Sequence, residues 1–149
     1  MKSQGFTLIE LVVLLVILSI LSTIVGVRLS SLHSFNSYSF ATILQSDLNL
    51  TRALSIAKNQ RYRLVIGGTS YQIQDQNGAI FLNPETNTNT VTYPSGTTVS
   101  PSTTIVFDSL GQPYNAAGTT PLSDPLNITI TSTQLSQVMS VTPQTGLIQ

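Results

Sequence analysis

The chain has 149 residues, a formal net charge of +0 and only 8% charged side chains. A polyanion partner is normally met by a strongly basic chain, and so weak a charge excludes that class. With no cysteine, a disulfide framework is excluded too, and the fold must rest on packing.

The first element is a mainly apolar run, Phe6 to Val27, of 22 residues. About 20 such residues suffice to span a bilayer as a helix. Glu10 sits inside it. An ionised side chain at membrane depth costs roughly 2.5–3.5 kcal/mol on insertion scales, so a carboxylate there calls for a partner or a route to the headgroups. A cleaved secretory signal fits less well: its apolar region is only about 7–15 residues long and ends in an Ala-x-Ala-like site. Here Ser22-Thr23-Ile24-Val25-Gly26 follows instead. An ordinary signal anchor stays open. Lys2 on one side and Arg28 on the other leave the orientation unset by charge.

From Phe40 to Lys58 there is no Pro or Gly. Phe40, Ile43, Leu44, Leu50, Leu54 and Ala57 recur on one broad helical face, with Thr42, Gln45, Asn49 and Arg52 opposite. Asp47 falls on the apolar side; it lies either at the edge of the stripe or against Arg28 or Arg52 of a neighbour. Lys58-Asn59 reads as a C-terminal cap. The serine-rich Ser30–Ser39 stretch, with His33 and Asn36, is where a bend would fall. A continuous helix from Thr7 to Lys58 would be roughly 78 Å long.

After Asn59 the period changes to two. Tyr62–Ile66 and Tyr71–Gln74 read as a hairpin across Gly67-Gly68-Thr69. Asp75-Gln76-Asn77-Gly78 reads as a turn and Ala79–Leu82 as a third strand. Asn83 to Thr103 reads as a long polar loop, with a short strand at Val91-Thr92-Tyr93. Thr104–Phe107, Asn127–Thr131 and Gln137–Val141 are strands, Gln112–Pro125 is a second loop, and Gly146-Leu147-Ile148 ends the sheet.

The leader Met1-Lys2-Ser3-Gln4-Gly5, followed by Phe6-Thr7-Leu8-Ile9-Glu10, resembles the class III signal of type IV prepilins and pseudopilins. The resemblance implies four segments. Residues 1–5 are the leader, 6–27 a transmembrane helix, 28–59 its amphipathic continuation and 60–149 a β-rich head. It implies an α+β fold in which a long N-terminal helix packs against a small antiparallel sheet. Prepilin peptidase would cut between Gly5 and Phe6, the Phe6 amine would be N-methylated, and Glu10 would meet the Phe6 amine of a neighbouring subunit. Physics agrees with the last step: a membrane carboxylate and a membrane ammonium relieve each other's desolvation. The implied partners are other pilin subunits, prepilin peptidase, an inner-membrane assembly platform and the membrane, with no nucleic acid. The implied location is the inner membrane with a periplasmic head, then a surface pilus or a periplasmic pseudopilus.

Leu50–Asn59, Ile105–Gly111 and Thr142–Gly146 are similar to the pseudopilin H and FimT branch, and to the minor pilin C group of mannose-sensitive haemagglutinin pili. That branch implies a scarce subunit that primes or caps an adhesive filament. The alternatives are a type II secretion pseudopilin, or a tip adhesin or DNA-uptake pilin. Two departures stand out. Val27 occupies a point where many pilins have Pro, and the C-terminus lacks the Gly-Arg-x-Arg tail of DNA-binding relatives. Lys58, Arg61 and Arg63 form the one candidate basic patch.

Catalytic chemistry has little to stand on. Glu10, Asp47, Asp75, Glu85, Asp108 and Asp124 are scattered, and His33 is the sole histidine. His33 reads as solvent-facing, and Asp75–Gly78 as a plain turn rather than a calcium loop. The sequons at Asn49 and Asn127 fall in regular structure. No enzyme activity, metal or cofactor is expected. Cutting after Gly5 removes Lys2, so mass spectrometry of the mature protein should find N-methyl-Phe6 at its start. An intact Met1, or a cut after residue 20, would overturn the prepilin reading.

Overall fold

The computed structural model describes residues 8–82, 88–133 and 136–149, with the side chains of 20–36 outside that description. One helix, α1 (Leu8–Lys58), is followed by eight strands: β1 (Tyr62–Ile66), β2 (Ser70–Asp75), β3 (Val91–Thr92), β4 (Thr98–Ser100), β5 (Thr104–Phe107), β6 (Pro113–Tyr114), β7 (Leu126–Thr131) and β8 (Ser136–Val141). The helical backbone passes through Ser30–Ser39 without interruption. At 1.5 Å per residue it is about 76 Å long.

The buried stripe of α1 begins at Ser37 and runs through Phe40, Ala41, Leu44, Asp47, Leu48, Thr51 and Ser55. These recur every three or four residues, with Phe40-Ala41 and Asp47-Leu48 as adjacent pairs, the spacing that keeps one broad helical face against a neighbour. It keeps Phe40 and Leu44 of the face expected on hydrophobicity and adds Leu48, Thr51 and Ser55. Ile43 and Ala57 are exposed, and Leu50 and Leu54 are only half-buried. Thr51 and Ser55 take the interior places because their hydroxyls bond the helix's own carbonyls, Thr51 Oγ1 to Asp47 O at 2.6 Å and Ser55 Oγ to Arg52 O at 2.7 Å. Small and internally satisfied, they let the sheet approach. Leu44 and Leu48 are fully enclosed, each contributing about 1.5–3 kcal/mol.

The helix ends as Lys58-Asn59 predicts. Asn59 is left-handed, with φ 51°. Its N–H donates to Ile56 O, and the Gln60 N–H to Ser55 O, both at 3.2 Å. This double bond pattern closes the last turn and satisfies two end carbonyls.

The strands form two antiparallel sheets, not one. The first has the order β3-β2-β1-β5-β6 and the second β4-β7-β8. The hairpin expected at Tyr62–Gln74 is present, with Leu64 opposite Ile73 and Arg63 opposite Gln74. Tyr62, Leu64, Ile66, Tyr71, Ile73, Ile105 and Phe107 alternate inward and meet α1. Ile128, Ile130, Met139 and Val141 of the second sheet join the same core.

Three expectations are corrected. Ala79–Leu82 is no strand; it makes a single bridge, Ile80 to Gln74, and the Phe81 N–H donates to Ile73 O. The far end of β2's edge is taken by β3, at Ser70–Thr92 and Tyr71–Val91, so that edge is shared. The long polar loop contains β4, which pairs with β7 from Thr98–Thr131 to Ser100–Thr129. The second loop contains β6, which pairs with β5. Gly146–Ile148 adds one bridge, Ile148 to Val141, along β8.

Gly146 tests this packing. Its φ is 63°, and a Cβ there would collide with the carbonyl oxygen of Gly111 and press on Phe107 and Arg52. Gly78 is also left-handed, but a Cβ would meet nothing nearer than Arg63 at 3.9 Å. Urea unfolding should therefore show Gly78→Ala costing about 1–2 kcal/mol and Gly146→Ala clearly more. Equal costs would mean that the loop moves freely away from the helix.

Candidate functional site

Glu10, the expected assembly residue, lies in the first described turn of α1. A carboxylate there favours the positive end of the helix dipole. Around it every described side chain from Leu8 to Ser19 is exposed, from 43% at Val12 to 83% at Leu8 among the large apolar ones. Nothing in the head covers this stretch. Gly5 and Phe6, the residues at the expected cut, lie outside the described residues. So do Glu85 and the side chains of Arg28 and His33. Among the described residues no helix is long and apolar enough to cross a membrane.

Where helix meets head, the unexplained Asp47 finds its account. It is 3% exposed, and Tyr71 Oη donates to its Oδ2 at 2.6 Å. Two places were open for it, the stripe's edge or an arginine of a neighbour; its burial corrects the first. Tyr71 lies in an aromatic group with Phe40 and Tyr93, and the Phe40–Tyr93 centroids are 5.3 Å apart at 60°. Such pairs add about 0.5–1.5 kcal/mol each beyond burial. Tyr93 Oη donates to Gly67 O at 2.8 Å. Burial, then the hydrogen bond to Asp47, drives the Tyr71 phenol far above its ordinary value. Burial alone pushes Tyr93 up to about 12.

Arg52 makes the second junction. Its Nε donates to Gly111 O at 3.3 Å, and its side chain lies against both Gly111 and Gly146. The three sequence segments that resemble one pilin branch, Leu50–Asn59, Ile105–Gly111 and Thr142–Gly146, therefore converge on one point. The signal in the sequence was the pair of glycines; their partner could not be read there.

The third place is the end of the helix. Lys58 is exposed. Arg61 donates through Nη1 to Gly118 O at 2.8 Å and lies over the Tyr114 ring, 5.0 Å from its centroid. Arg63 donates through Nε to Asp75 O and through Nη2 to Gln76 O. The Asp75 carboxylate is occupied as a turn acceptor, taking the N–H groups of Asn77 and Ala79 at 2.8 Å. Asp108 does the same for Leu110 and Gln112. Among the described residues no cluster of His, Cys, Asp and Glu could hold a metal.

Residues 1–26 match the family model described as the prokaryotic N-terminal methylation motif. No curated protein matches the chain at a significant level. Among solved structures it is similar to the minor pseudopilin EpsH from the type 2 secretion system of Vibrio cholerae. The identity is 13%, the match covers 78% of this chain and 94% of that one, and the TM-score is 0.50. At that identity the likeness is one of fold. A prepilin-type N-terminal motif is thus joined to a pseudopilin-like α+β architecture.

The Asp47–Tyr71 pair carries a signed pH prediction. The phenol's value is raised on folding, so its contribution is fully present below about pH 10 and is lost as pH rises beyond. Stability should fall there by up to about 1.4 kcal/mol per pH unit. Tyr71→Phe should reduce that slope, and at pH 7 should cost about 1–3 kcal/mol because a buried carboxylate loses a donor. Urea unfolding across pH 7–11 reads both; an unchanged alkaline slope in Tyr71→Phe would refute the assignment.

Proposed function

We propose that this protein is a minor pilin or pseudopilin, a non-catalytic subunit that primes or caps a type IV pilus-like filament. One observation carries the reading. The prepilin-type N-terminus places Glu10 on an exposed apolar helix, and that helix runs unbroken into the half that packs on the β head. Cleavage between Gly5 and Phe6, followed by N-methylation, leaves a secondary ammonium near the edge of the apolar segment. Glu10 of one subunit then meets the Phe6 amine of the next. Each charge relieves the other's desolvation, which an apolar interface cannot do.

In this reading residues 6–27 anchor the subunit in the inner membrane, the head lies in the periplasm, and the assembly platform draws the helix into the filament. The filament is an adhesive pilus of the mannose-sensitive haemagglutinin kind. A second reading, a type II secretion pseudopilin, draws support from the likeness to EpsH, itself a minor pseudopilin of such a system. The genes beside this one decide between them.

Glu10→Ala tests the shared part. The variant should be cleaved and methylated normally and stay in the membrane. Its recovery in sheared filaments or pseudopili should drop about tenfold or more, since losing one member of a buried pair costs roughly 3–5 kcal/mol. Wild-type incorporation of Glu10→Ala would remove the proposed role.

A further inference from the structure

A groove of about 250 Å³ opens on the outer face of the first sheet, away from the helix. Arg61 and Arg63 stand on its walls beside Tyr62, Asp75 and Gln76, and the small residues Val106, Ala116, Ala117 and Gly118 line the opposite side. It exists because the turn that follows β6 folds back over β5. A Cβ at Gly118 would lie 3.6 Å from Val106, and this close approach buries Val106 on the face of β5 opposite the core.

Both guanidiniums are held before any ligand arrives. Their partners among the described residues are carbonyl oxygens, Gly118 O for Arg61 and the Asp75 and Gln76 oxygens for Arg63. Carbonyls orient a guanidinium without cancelling its charge. An arginine carries five donors, so each retains several for a further acceptor. Stacking on Tyr114 also limits the freedom that Arg61 would lose on binding. Two fixed, charged forks beside small apolar side chains form a receptor for an oxyanion on a short apolar stem.

We infer that this groove binds a carboxylate presented by a partner protein, an acidic side chain seated between Arg61 and Arg63. The surroundings favour one isolated charge over a polyanion. Asp75 lines the same groove, and Asp108 shares the adjoining hollow with Arg61. A run of phosphates would have to pass both carboxylates, which a single charge need not do. Nucleic-acid affinity also grows with the number of cations engaged, and only Lys58 lies nearby to add one. The inference concerns the head alone and goes beyond the filament reading.

The test uses the full chain in detergent micelles, labelled at arginine Nε and followed by NMR. Acetyl-Gly-Asp-Gly-amide should shift the Arg61 and Arg63 signals saturably, and its Asn counterpart should not. The response should weaken as salt rises from about 50 mM to about 500 mM. Arg61→Gln should weaken binding about tenfold or more. Arg63 also braces the Asp75 turn, so Ala117→Glu serves as the second variant. It places a carboxylate in the groove from an exposed position and should abolish binding with the spectrum of the core unchanged. Equal shifts with the Asp and Asn peptides, or no shift with either, would overturn the proposal. Tighter binding of a short single-stranded oligonucleotide, lost in Arg61→Gln, would overturn it in favour of a nucleic-acid surface.

Discussion

Both sheets are folded against one stripe of one helix. Without cysteine, no disulfide fastens the head against its stalk. The stripe from Ser37 to Ser55 does it by burial, and the polar groups within the stripe decide how it fits. Thr51 and Ser55 satisfy themselves within the helix. Ser37 meets Thr97 at 3.1 Å, side chain to side chain, which joins the start of the stripe to the turn before β4. Asp47 takes the Tyr71 hydroxyl in the middle. An apolar surface alone would bind without a unique register; buried polar pairs with defined partners penalise a helix that slips or turns.

The same helix therefore serves two environments. Its C-terminal half has spent its apolar face on the core. Its N-terminal half keeps Leu8 to Leu18 uncovered in the single chain. So large an exposed apolar surface belongs in lipid or against other chains, and the prepilin-type motif lies on that half. The junctions that lock the head, Arg52 with Gly111 and Gly146, sit at the opposite end. In the proposed reading, assembly chemistry and head packing are thus separated along one continuous helix.

Much of the arginine content is structural in this fold. Arg52, Arg61 and Arg63 each donate to backbone carbonyls of loops and turns distant in sequence. In a chain with few charges this is an economical use of them: a guanidinium spans a gap that a short polar side chain cannot. It also explains why a basic cluster at the end of a helix need not mark a polyanion site, since its donors are partly taken by the protein itself.

The sequence by itself determined the elements governed by local rules. The apolar run with its single carboxylate, the change from period 3.6 to period two after Asn59, the Lys58-Asn59 cap and the Asp75–Gly78 turn all follow from spacing and side-chain chemistry over a few residues. So do β1, β2, β5, β7 and β8, whose alternation is strong. The tertiary structure decided what depends on neighbours distant in the chain. β4 and β6 are short and polar or proline-bearing, and they are strands only because β7 and β5 offer them an edge. Ala79–Leu82, apolar enough for a strand, is left with a bridge because its edge is shared with β3. The buried helix face kept Phe40 and Leu44 but took Thr51 and Ser55 toward its end in place of Ala57, because their hydroxyls are satisfied within the helix. Asp47, Arg52 and the Arg61–Arg63 groove were visible as residues but not as sites, because a charged side chain is defined by the group it meets, and Tyr71, Gly111 and Gly118 are brought to them only by the fold.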